Sequence, residues 1–398
     1  MAMNARQVAV WILFGVLTAS SMTRLLGQEL EDPAVAEVGL ADGPVDDADH
    51  IQPNDGAPCV SVYDQFAAPS CSLCPSVYGS VESLFLERNN GSAAQPLVLA
   101  VTNVGGTSTI TSTVISTPDL QFGFEPGVRA LLGARLRDGW AVESSYLGLW
   151  STMSRVSAFR PDDKPGDYTR LTIPVPLGKI NNVFRDADWI GIDYSSQLHS
   201  VDLNLVCCRC CYSDCGDCKM SGRSFEWMAG FRYLNLNETL QIHGTTSADS
   251  GPPLSGNPPF KGLYQVDTSN NLYGAQLGAR WRRCRGRWSL EATGKAGIYL
   301  NDAQQQQQIV DAVPNPLWRD ESAGGGRVAF VGEISLSGIY QLTNVWGLRT
   351  GYNLLAIEGV ALAPDQLDFS ELEHAGNQLF SGGGVLLHGV SLGLEARW

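Results

Sequence analysis

The chain has 398 residues, 44% of them hydrophobic and 17% charged, and its formal net charge is −14. This length allows one large domain or two ordinary ones. The acidic balance excludes nucleic acid as a partner, because nucleic-acid-binding surfaces are basic.

The N-terminus carries the only long apolar run of the sequence, which extends from Val8 to Ala19. Arg6 precedes this run, and the small residues Ser20 and Ser21 follow it. A basic start, a short apolar stretch and a small-residue exit are typical of a secretory signal peptide. The run is too short for a transmembrane helix. We therefore predict a cleaved signal peptide within residues 1–27.

Residues 28–75 form a second unusual segment. Nine acids and no Lys or Arg lie between residues 28 and 58, together with several Pro and Gly. Such a composition buries little apolar surface, so the segment is predicted to be a disordered, acidic, cysteine-containing leader in the periplasm. Without its nine acids the net charge of the chain is −5. The remaining residues, 76–398, are predicted to form one folded domain.

This domain contains a series of segments in which apolar side chains occupy every second position. In the clearest segment, the even positions from Phe124 to Leu136 are apolar, while the odd positions include Glu125, Arg129 and Arg135. Side chains of a β-strand point alternately to opposite faces, so each segment is an amphipathic strand. Similar segments occur around residues 78–87, 140–150, 200–206, 225–233, 273–281, 288–300, 328–340, 346–354 and 389–398. Residues 95–102 and 189–196 would raise the number of strands from ten to twelve.

Two features favour a membrane barrel over a soluble β-sandwich. No charge falls on the apolar faces, where Arg or Lys would cost about 2–4 kcal/mol at the bilayer midplane. Large aromatic residues sit at the ends of these faces: Trp140 and Trp150 are ten residues apart. At ~3.3 Å per residue and a ~40° tilt, this spacing spans a lipid-facing band of roughly 25 Å. The predicted aromatic girdle consists of Trp140, Trp150, Trp281, Trp288, Tyr340, Trp346 and Trp398.

The gaps between the segments alternate in length. Residues 137–139, 282–286 and 342–344 are short turns, whereas 89–120, 151–188, 239–265, 302–326 and 358–384 are long. Short periplasmic turns and long extracellular loops are typical of outer-membrane barrels. We therefore predict an all-β fold, an antiparallel up-and-down transmembrane β-barrel of about ten strands, with twelve as the alternative. The glutamines at 304–308 and the glycines at 324–326 are expected in flexible extracellular loops.

Two longer motifs carry a family resemblance. They are FEWMAGFRYL at residues 225–234 and GYNLLAIEGVALAPDQ at 351–366, supported by SLFL at 83–86 and the C-terminal Trp398. In these motifs the chain resembles a family of bacterial outer-membrane β-barrel porins over roughly residues 75–398. The resemblance implies a location in the outer membrane and membrane lipid as a partner. It also implies a second partner, the barrel-insertion machinery, which reads the C-terminal strand. It implies no oligomeric state.

The faces opposite the apolar stripes carry fourteen charged residues, seven of each sign. The functional interpretation is a polar, weakly selective channel lined by these side chains. The alternative is an ion-paired core in a narrow barrel, since about eight strands leave an interior just filled by side chains. The predicted lumen-lining residues are Glu125, Arg129, Arg135, Glu143, Asp202, Glu226, Arg232, Arg280, Glu291, Lys295, Glu333, Arg349, Glu395 and Arg397.

Ten cysteines form a second candidate group, and all fall on the predicted periplasmic side. In an oxidising compartment disulfides are expected, with a connectivity that the sequence does not give. Two Cys-x-x-Cys pairs have the spacing of zinc ligands, which keeps a metal site as the less favoured alternative. No cofactor or metal is predicted. The disulfide candidates are Cys59, Cys71, Cys74, Cys207, Cys208, Cys210, Cys211, Cys215, Cys218 and Cys284.

Two patterns raise the question of enzymatic chemistry. Residues 389–393 match a Gly-x-Ser-x-Gly nucleophile elbow, but they lie inside a strand and not at a strand-to-helix turn. His374 shares a long loop with several carboxylates, an arrangement for a general base that is more often a solvated loop. We therefore expect no enzyme. The favoured function is a porin-like passive channel for small solutes; the alternative is a non-conducting structural or surface-interaction barrel that acts through long extracellular loops.

Overall fold

The computed structural model describes residues 77–106, 108–136, 139–161, 167–175, 177, 182–207, 222–246, 260–311, 319–372 and 374–398. The predicted signal peptide and the whole of the acidic leader, residues 28–75, lie outside these residues, as do eight of the ten cysteines. None of the described helices is long and apolar enough to span a bilayer.

The described residues form thirteen strands, one short α-helix, α1 (Asn182–Arg185), and two 3-10 helices, Thr117–Asp119 and Ala363–Gln366. The strands are β1 (Val77–Arg88), β2 (Pro96–Val104), β3 (Ser108–Ser116), β4 (Phe124–Arg135), β5 (Trp140–Phe159), β6 (Asp167–Thr172), β7 (Trp189–Cys207), β8 (Gly222–Thr246), β9 (Phe260–Arg285), β10 (Trp288–Asp311), β11 (Arg319–Gln341), β12 (Trp346–Val360) and β13 (Gly383–Arg397).

Ten of these strands close into a barrel in the order β1-β13-β12-β11-β10-β9-β8-β7-β5-β4, and neighbours are antiparallel. The predicted ten-stranded antiparallel barrel is confirmed. The twelve-strand alternative is wrong, because residues 96–104 form β2 of a separate three-stranded sheet, β3-β2-β6, and residues 189–196 are one end of β7.

The last strand closes the barrel against the first. Val77 N–H donates to the carbonyl oxygen of Trp398 at 2.9 Å, and Trp398 N–H donates back to Val77 at 2.9 Å. The ladder continues through Phe85, which lies opposite Val390. The C-terminal aromatic residue is therefore held at the seam of the barrel. We call the end that carries Trp398 the lower end; it is the periplasmic end in a barrel with short turns on that side.

The barrel wall has an unequal height. β8, β9 and β10 have 25, 26 and 24 residues, whereas β1 and β4 have 12 each. All described residues of the predicted long loops at 239–265 and 302–326, namely 239–246, 260–265, 302–311 and 319–326, are strand, so this part of the expectation is wrong. The glutamines at 304–308 lie in β10, and the glycines at 324–326 lie in β11.

The reason is an inversion of the apolar face along each tall strand. In the lower part of β8, Trp227 and Phe231 point outward and are 58% and 53% exposed. Higher up, Leu240 and Ile242 point inward and are fully buried, while Gln241 between them lies on the outer face. The same two-residue period therefore continues, but the apolar side chains have moved from the lipid side to the interior.

The upper interior is filled by a mixed apolar core. β2 of the small sheet contributes Leu97 and Val98, and α1 contributes Phe184. These side chains pack with inward residues of the tall strands, including Ile192 and Ile242. The small sheet and α1 thus fill the upper interior, where Phe184 lies against Gly244 of β8 and Gly262 of β9.

The barrel interior as the candidate functional site

The side chains on the outer surface show which part of the barrel lies in the membrane. Outward side chains such as Leu277 and Leu300 are each 70% exposed, as expected for a stripe that faces lipid. Aromatic pairs mark the two ends of this band: the rings of Trp288 and Tyr340 are 4.8 Å apart at the lower end. The rings of Tyr233 and Tyr273 are 4.9 Å apart higher up. Of the predicted girdle, Trp140, Trp150, Trp288, Trp346 and Trp398 are exposed, and Trp281 and Tyr340 are partly buried.

Inside this band, Glu333 of β11 joins three parts of the wall. It accepts a hydrogen bond from Arg129 of β4 at 2.8 Å and another from Arg232 of β8 at 2.8 Å. Three strands separate β4 from β11 around the wall, and two separate β11 from β8. Arg232 is 2% exposed. These bonds therefore cross the lumen and do not run along its surface.

A second group lies nearer the lower end. Arg280 of β9 donates to both carboxylate oxygens of Glu143 on β5 at 2.7 Å, and to Glu226 on β8 at 3.1 Å. Tyr78 O–H of β1 also donates to Glu143, at 2.6 Å. Lys295 of β10 donates to Asp202 of β7 at 2.9 Å, again across two intervening strands.

The third group is centred on Arg349 of β12. It donates to Glu291 of β10 at 2.6 Å and lies 3.2 Å from Glu82 of β1. Glu291 also pairs with Arg282, and Glu395 pairs with Arg397 at 2.9 Å. Because the partners stand on different strands, this group links β9, β10, β12, β13 and β1 in the lower wall.

The structure brings twelve of the fourteen predicted interior charges into these ion pairs. Arg135 instead stacks on Tyr78, with its guanidinium carbon 5.5 Å from the ring centre. Glu125 is half-buried at the upper end of β4. Two partners were not predicted: Glu82, whose strand had no assigned parity, and Arg282, which was placed in a turn. If the two-residue period of β9 is continued past Trp281, it predicts that Arg282 lies on the inner face.

Above the charged groups, Arg88 and Glu238 form an ion pair whose side chains are 1% and 0% exposed. Tyr194 O–H donates to Glu238 at 2.8 Å and accepts from Arg88 at 2.9 Å. The Arg88 guanidinium lies 4.7 Å above the ring of Phe122. An isolated buried charge is costly, so the pairing with Glu238 and the contacts with Tyr194 and Phe122 hold Arg88 between the charged interior and the apolar core.

The segment between β12 and β13 turns into the upper interior. Asn270 of β9 accepts from Ala361 N–H at 2.7 Å and donates to the Ala361 carbonyl oxygen at 2.8 Å. Glu238 accepts from Ala363 N–H at 2.9 Å. Side chains of the wall therefore satisfy backbone groups of residues 361–382, which we call the plug segment.

Glutamines of β10 extend this anchoring. Gln305 donates to the Gly376 carbonyl oxygen and Gln307 to that of Gln366; both glutamines are buried. Gln304 and Gln306 alternate with them and are exposed on the outer face. The glutamine run is therefore a strand with an anchoring face, and not a flexible loop.

Tyr264 and Asp368 provide a further anchor, as does Arg319, which donates to the carbonyl oxygens of Asp368 and Ser370. Asp368 N–H donates to the Tyr264 hydroxyl at 2.9 Å, and that hydroxyl donates to Gln307 at 2.8 Å. Burial raises the pKa of Tyr264 to about 12. Burial opposes ionisation of Asp368, but hydrogen bonds from Ser370 and Gly376 outweigh it and lower the pKa of this carboxyl.

The residues considered for catalysis do not come together. His374 is exposed in a left-handed backbone conformation, with φ 64°, and its Nδ1 lies 3.3 Å from a carboxylate oxygen of Glu321. Ser391 lies in β13 and donates to Glu82 at 2.8 Å inside the barrel. Cys207 and Cys284 are half-buried at the lower ends of β7 and β9. The disulfides stay a prediction, since the other eight cysteines lie outside the described residues.

A closed antiparallel barrel with an uncharged outer band and a charged interior defines an outer-membrane β-barrel. The chain matches the family described as Putative beta barrel porin-7 (BBP7) over residues 78–398, and it belongs to this family. The resemblance to outer-membrane porins and the location in the outer membrane are thereby confirmed.

Solved structures give distant matches only. A FadL homologue from Pseudomonas aeruginosa is 8% identical, with 82% of this chain and 93% of that chain covered and a TM-score of 0.22. The P. putida toluene transporter TodX is 9% identical, with coverage of 82% and 91% and a TM-score of 0.16. An anion-selective porin from Comamonas acidovorans is 8% identical, with coverage of 81% and 99% and a TM-score of 0.12. These low values imply nothing about cargo. No curated protein matches the chain.

Proposed function

We propose that this protein is an outer-membrane barrel whose lumen is closed in the resting form. It acts through the part of the barrel that stands above the membrane. The observation that carries the proposal is the bridging of Glu333 by Arg129 and Arg232 across the lumen. Above it, the apolar core and the plug segment occupy the interior that a solute would have to cross. The role is therefore that of a structural or surface-interaction barrel, without enzymatic activity.

The number of strands supports a filled interior. About eight strands leave room only for side chains, whereas 16–18 leave an aqueous channel, and ten is close to the first case. Long side chains such as Arg129 reach across so narrow a lumen. The two side chains of each ion pair stand on strands whose positions in the wall are fixed. Opening of the lumen therefore requires several buried pairs to separate together.

A liposome-swelling assay tests this proposal. Purified full-length protein is refolded into phospholipid vesicles and challenged with arabinose, glucose and sucrose. We expect swelling rates equal to those of protein-free vesicles. Swelling that falls with increasing sugar size would contradict closure and would support an open pore.

The passive channel for small solutes is the second candidate. Membership in a porin family favours it, as does the polar lining of the lower interior. In this case the closed form is one of two states, and the plug segment is the part that moves. Removal of residues 366–380 should then give swelling, whereas the closed-barrel proposal expects the charged groups alone to keep the vesicles tight.

A further inference from the structure

The outer surface of the tall strands changes its chemistry at one level. On β8 the outward position changes from Tyr233 to Asn235, and on β9 from Tyr273 to Asn271. On β10 it changes from Leu300 to Asp302. The residue pairs Tyr233–Tyr273 and Asn235–Asn271 face each other across the same ladder. The lipid-facing band therefore ends along a line across three neighbouring strands.

Above this line the outward positions are rich in primary amides. We call the outward side chains of residues 235–243, 263–271 and 302–308 the amide face. Its amides form ladders: Asn237 donates to Asn235 at 2.8 Å, and Gln241 of β8 donates to Gln265 of β9 at 2.8 Å. Each primary amide carries two N–H donors and one carbonyl acceptor, a set that matches the adjacent hydroxyls of a sugar ring.

We propose that the amide face contacts the sugar headgroups of glycolipids in the outer leaflet of the membrane. The face continues the lipid-facing band on the same strands and with the same side-chain parity. A glycolipid whose acyl chains lie against this band places its headgroup directly against the residues above it. The proposal goes beyond the role of the interior and does not depend on whether the lumen conducts.

The height of the face distinguishes sugars from ordinary headgroups. Residues 235–243 span eight intervals, which at ~3.3 Å each and a ~40° tilt rise roughly 20 Å above the band. The headgroup region of a phospholipid is only about 5–8 Å thick on each side of a bilayer. An oligosaccharide headgroup reaches the upper amides, such as Gln241, and a phospholipid headgroup does not.

The charge of the face points away from phosphate as the main ligand. Among its outward side chains Asp267 and Asp302 are acidic. The nearest Lys or Arg on the outer positions of these strands is Lys261, which lies above residue 263 in β9 and beyond the face. A phosphate site requires Arg or Lys donors. Tyr273, 48% exposed at the base of the face, adds an aromatic surface of the kind on which the C–H groups of a sugar ring pack.

The test compares three bilayers that contain the refolded full-length protein. One consists of phosphatidylcholine, one contains lipid A with its two glucosamines only, and one contains the same lipid with its core oligosaccharide. The readout is the temperature at which half of the folded, fast-migrating gel band is lost. We expect the wild-type midpoint to be several degrees higher with the core oligosaccharide than with lipid A alone.

A variant assigns this gain to the amide face. Gln304 and Gln306 are exposed, Gln308 is half-buried on the same outer face, and the hydrogen bonds described for Gln306 and Gln308 go to Asp320. Their replacement by Thr should therefore leave the buried interior unchanged. The triple variant Gln304→Thr, Gln306→Thr, Gln308→Thr, combined with Gln241→Thr, should lose at least half of the gain. Its midpoint in phosphatidylcholine should equal that of the wild type. The matched control Thr109→Ser, Thr111→Ser, Thr113→Ser, on the exposed strand β3, should keep the full gain.

The proposal is overturned if the wild-type midpoint is the same with lipid A and with the core-bearing lipid, a comparison that needs no variant. It is also overturned if the variant keeps the full gain. A further arm adds the free core oligosaccharide to protein in phosphatidylcholine. An equal gain there would identify a receptor for free saccharide in place of a contact with membrane glycolipid.

Discussion

Arg129 and Glu333 are hydrogen-bonded at 2.8 Å across the lumen, from strands that three others separate along the wall. Glu333 also accepts from Arg232, so one carboxylate bridges two guanidinium groups on different strands. The interior of the barrel is therefore organised around acceptors shared between distant strands.

Removing the shared acceptor should be strongly destabilising. Glu333→Ala leaves Arg129 and Arg232 without their carboxylate in a buried setting, and breaking such a pair costs about 3–5 kcal/mol. The free energy of unfolding, measured by urea titration of tryptophan fluorescence in vesicles, should fall by this amount. Glu125→Gln is the control, and should change it by less than about 0.5 kcal/mol. A loss below about 1 kcal/mol for Glu333→Ala would contradict the shared-acceptor description.

The hydroxyl of Tyr264 should hold the plug segment. Tyr264→Phe keeps the ring in the apolar core but leaves Asp368 N–H without its acceptor. We expect faster hydrogen exchange in residues 366–372, with the exchange of β9 unchanged. Tyr233→Phe, which removes a hydroxyl on the outer surface, should leave these amides unaffected. Unchanged protection in Tyr264→Phe would mean that other contacts hold the segment.

Acid should weaken the anchoring by Asp368. The pKa of this carboxyl is lowered in the folded protein, so its ionised form contributes stability above the unfolded pKa of about 3.9. This contribution is lost as the pH falls through the lower, folded value. Proteolysis of the plug segment by pepsin should therefore rise between pH 4 and pH 2, to about the level that Asp368→Asn shows throughout. A wild type that resists pepsin equally at both values would contradict this link.

A charged substitution on the outer surface should cost more stability within the lipid-facing band than above it. Leu277→Arg places a cation on the outer face within the band, at a cost of about 2–4 kcal/mol at the midplane. Gln306→Arg lies on an outer position above the band and should cost less than about 1 kcal/mol. Urea titrations of both variants in vesicles compare the two costs. Equal costs would place the boundary of the membrane elsewhere.

The sequence predicted the lower half of the barrel well, because contact with lipid requires apolar outward side chains on every strand there. Outward residues such as Leu290 and Leu300 are apolar, and inward residues such as Glu291 and Lys295 are charged. The rule reverses above the membrane, where the interior is apolar. The outward apolar stripe alone predicts that β10 ends near Leu300, although the strand continues to Asp311.

The cross-lumen pairing was not predictable from alternation alone. The two-residue period assigns Arg129 and Glu333 to the inside, but it does not give their relative height or their positions around the wall. The height and the position of each side chain follow from the strand order and the register. In this register Gly332, the residue before Glu333, lies opposite Ala356, and Arg129 lies opposite Glu82. A local irregularity also intervenes: the register shifts between Leu149 and Thr152, so inward positions of β5 change from odd to even numbers.

Single-channel recording in planar lipid bilayers tests closure of the interior most directly. The full-length protein, with its insertion verified by resistance of the folded band to protease, should give no conductance steps in 1 M salt at either polarity. Deletion of residues 366–380 together with Glu333→Ala and Asp202→Ala removes most of the plug segment and two acceptors of the cross-lumen bonds and should introduce steps. Stable conductance steps from the wild-type protein would contradict the account, because ions would then cross an interior that the buried pairs are argued to close.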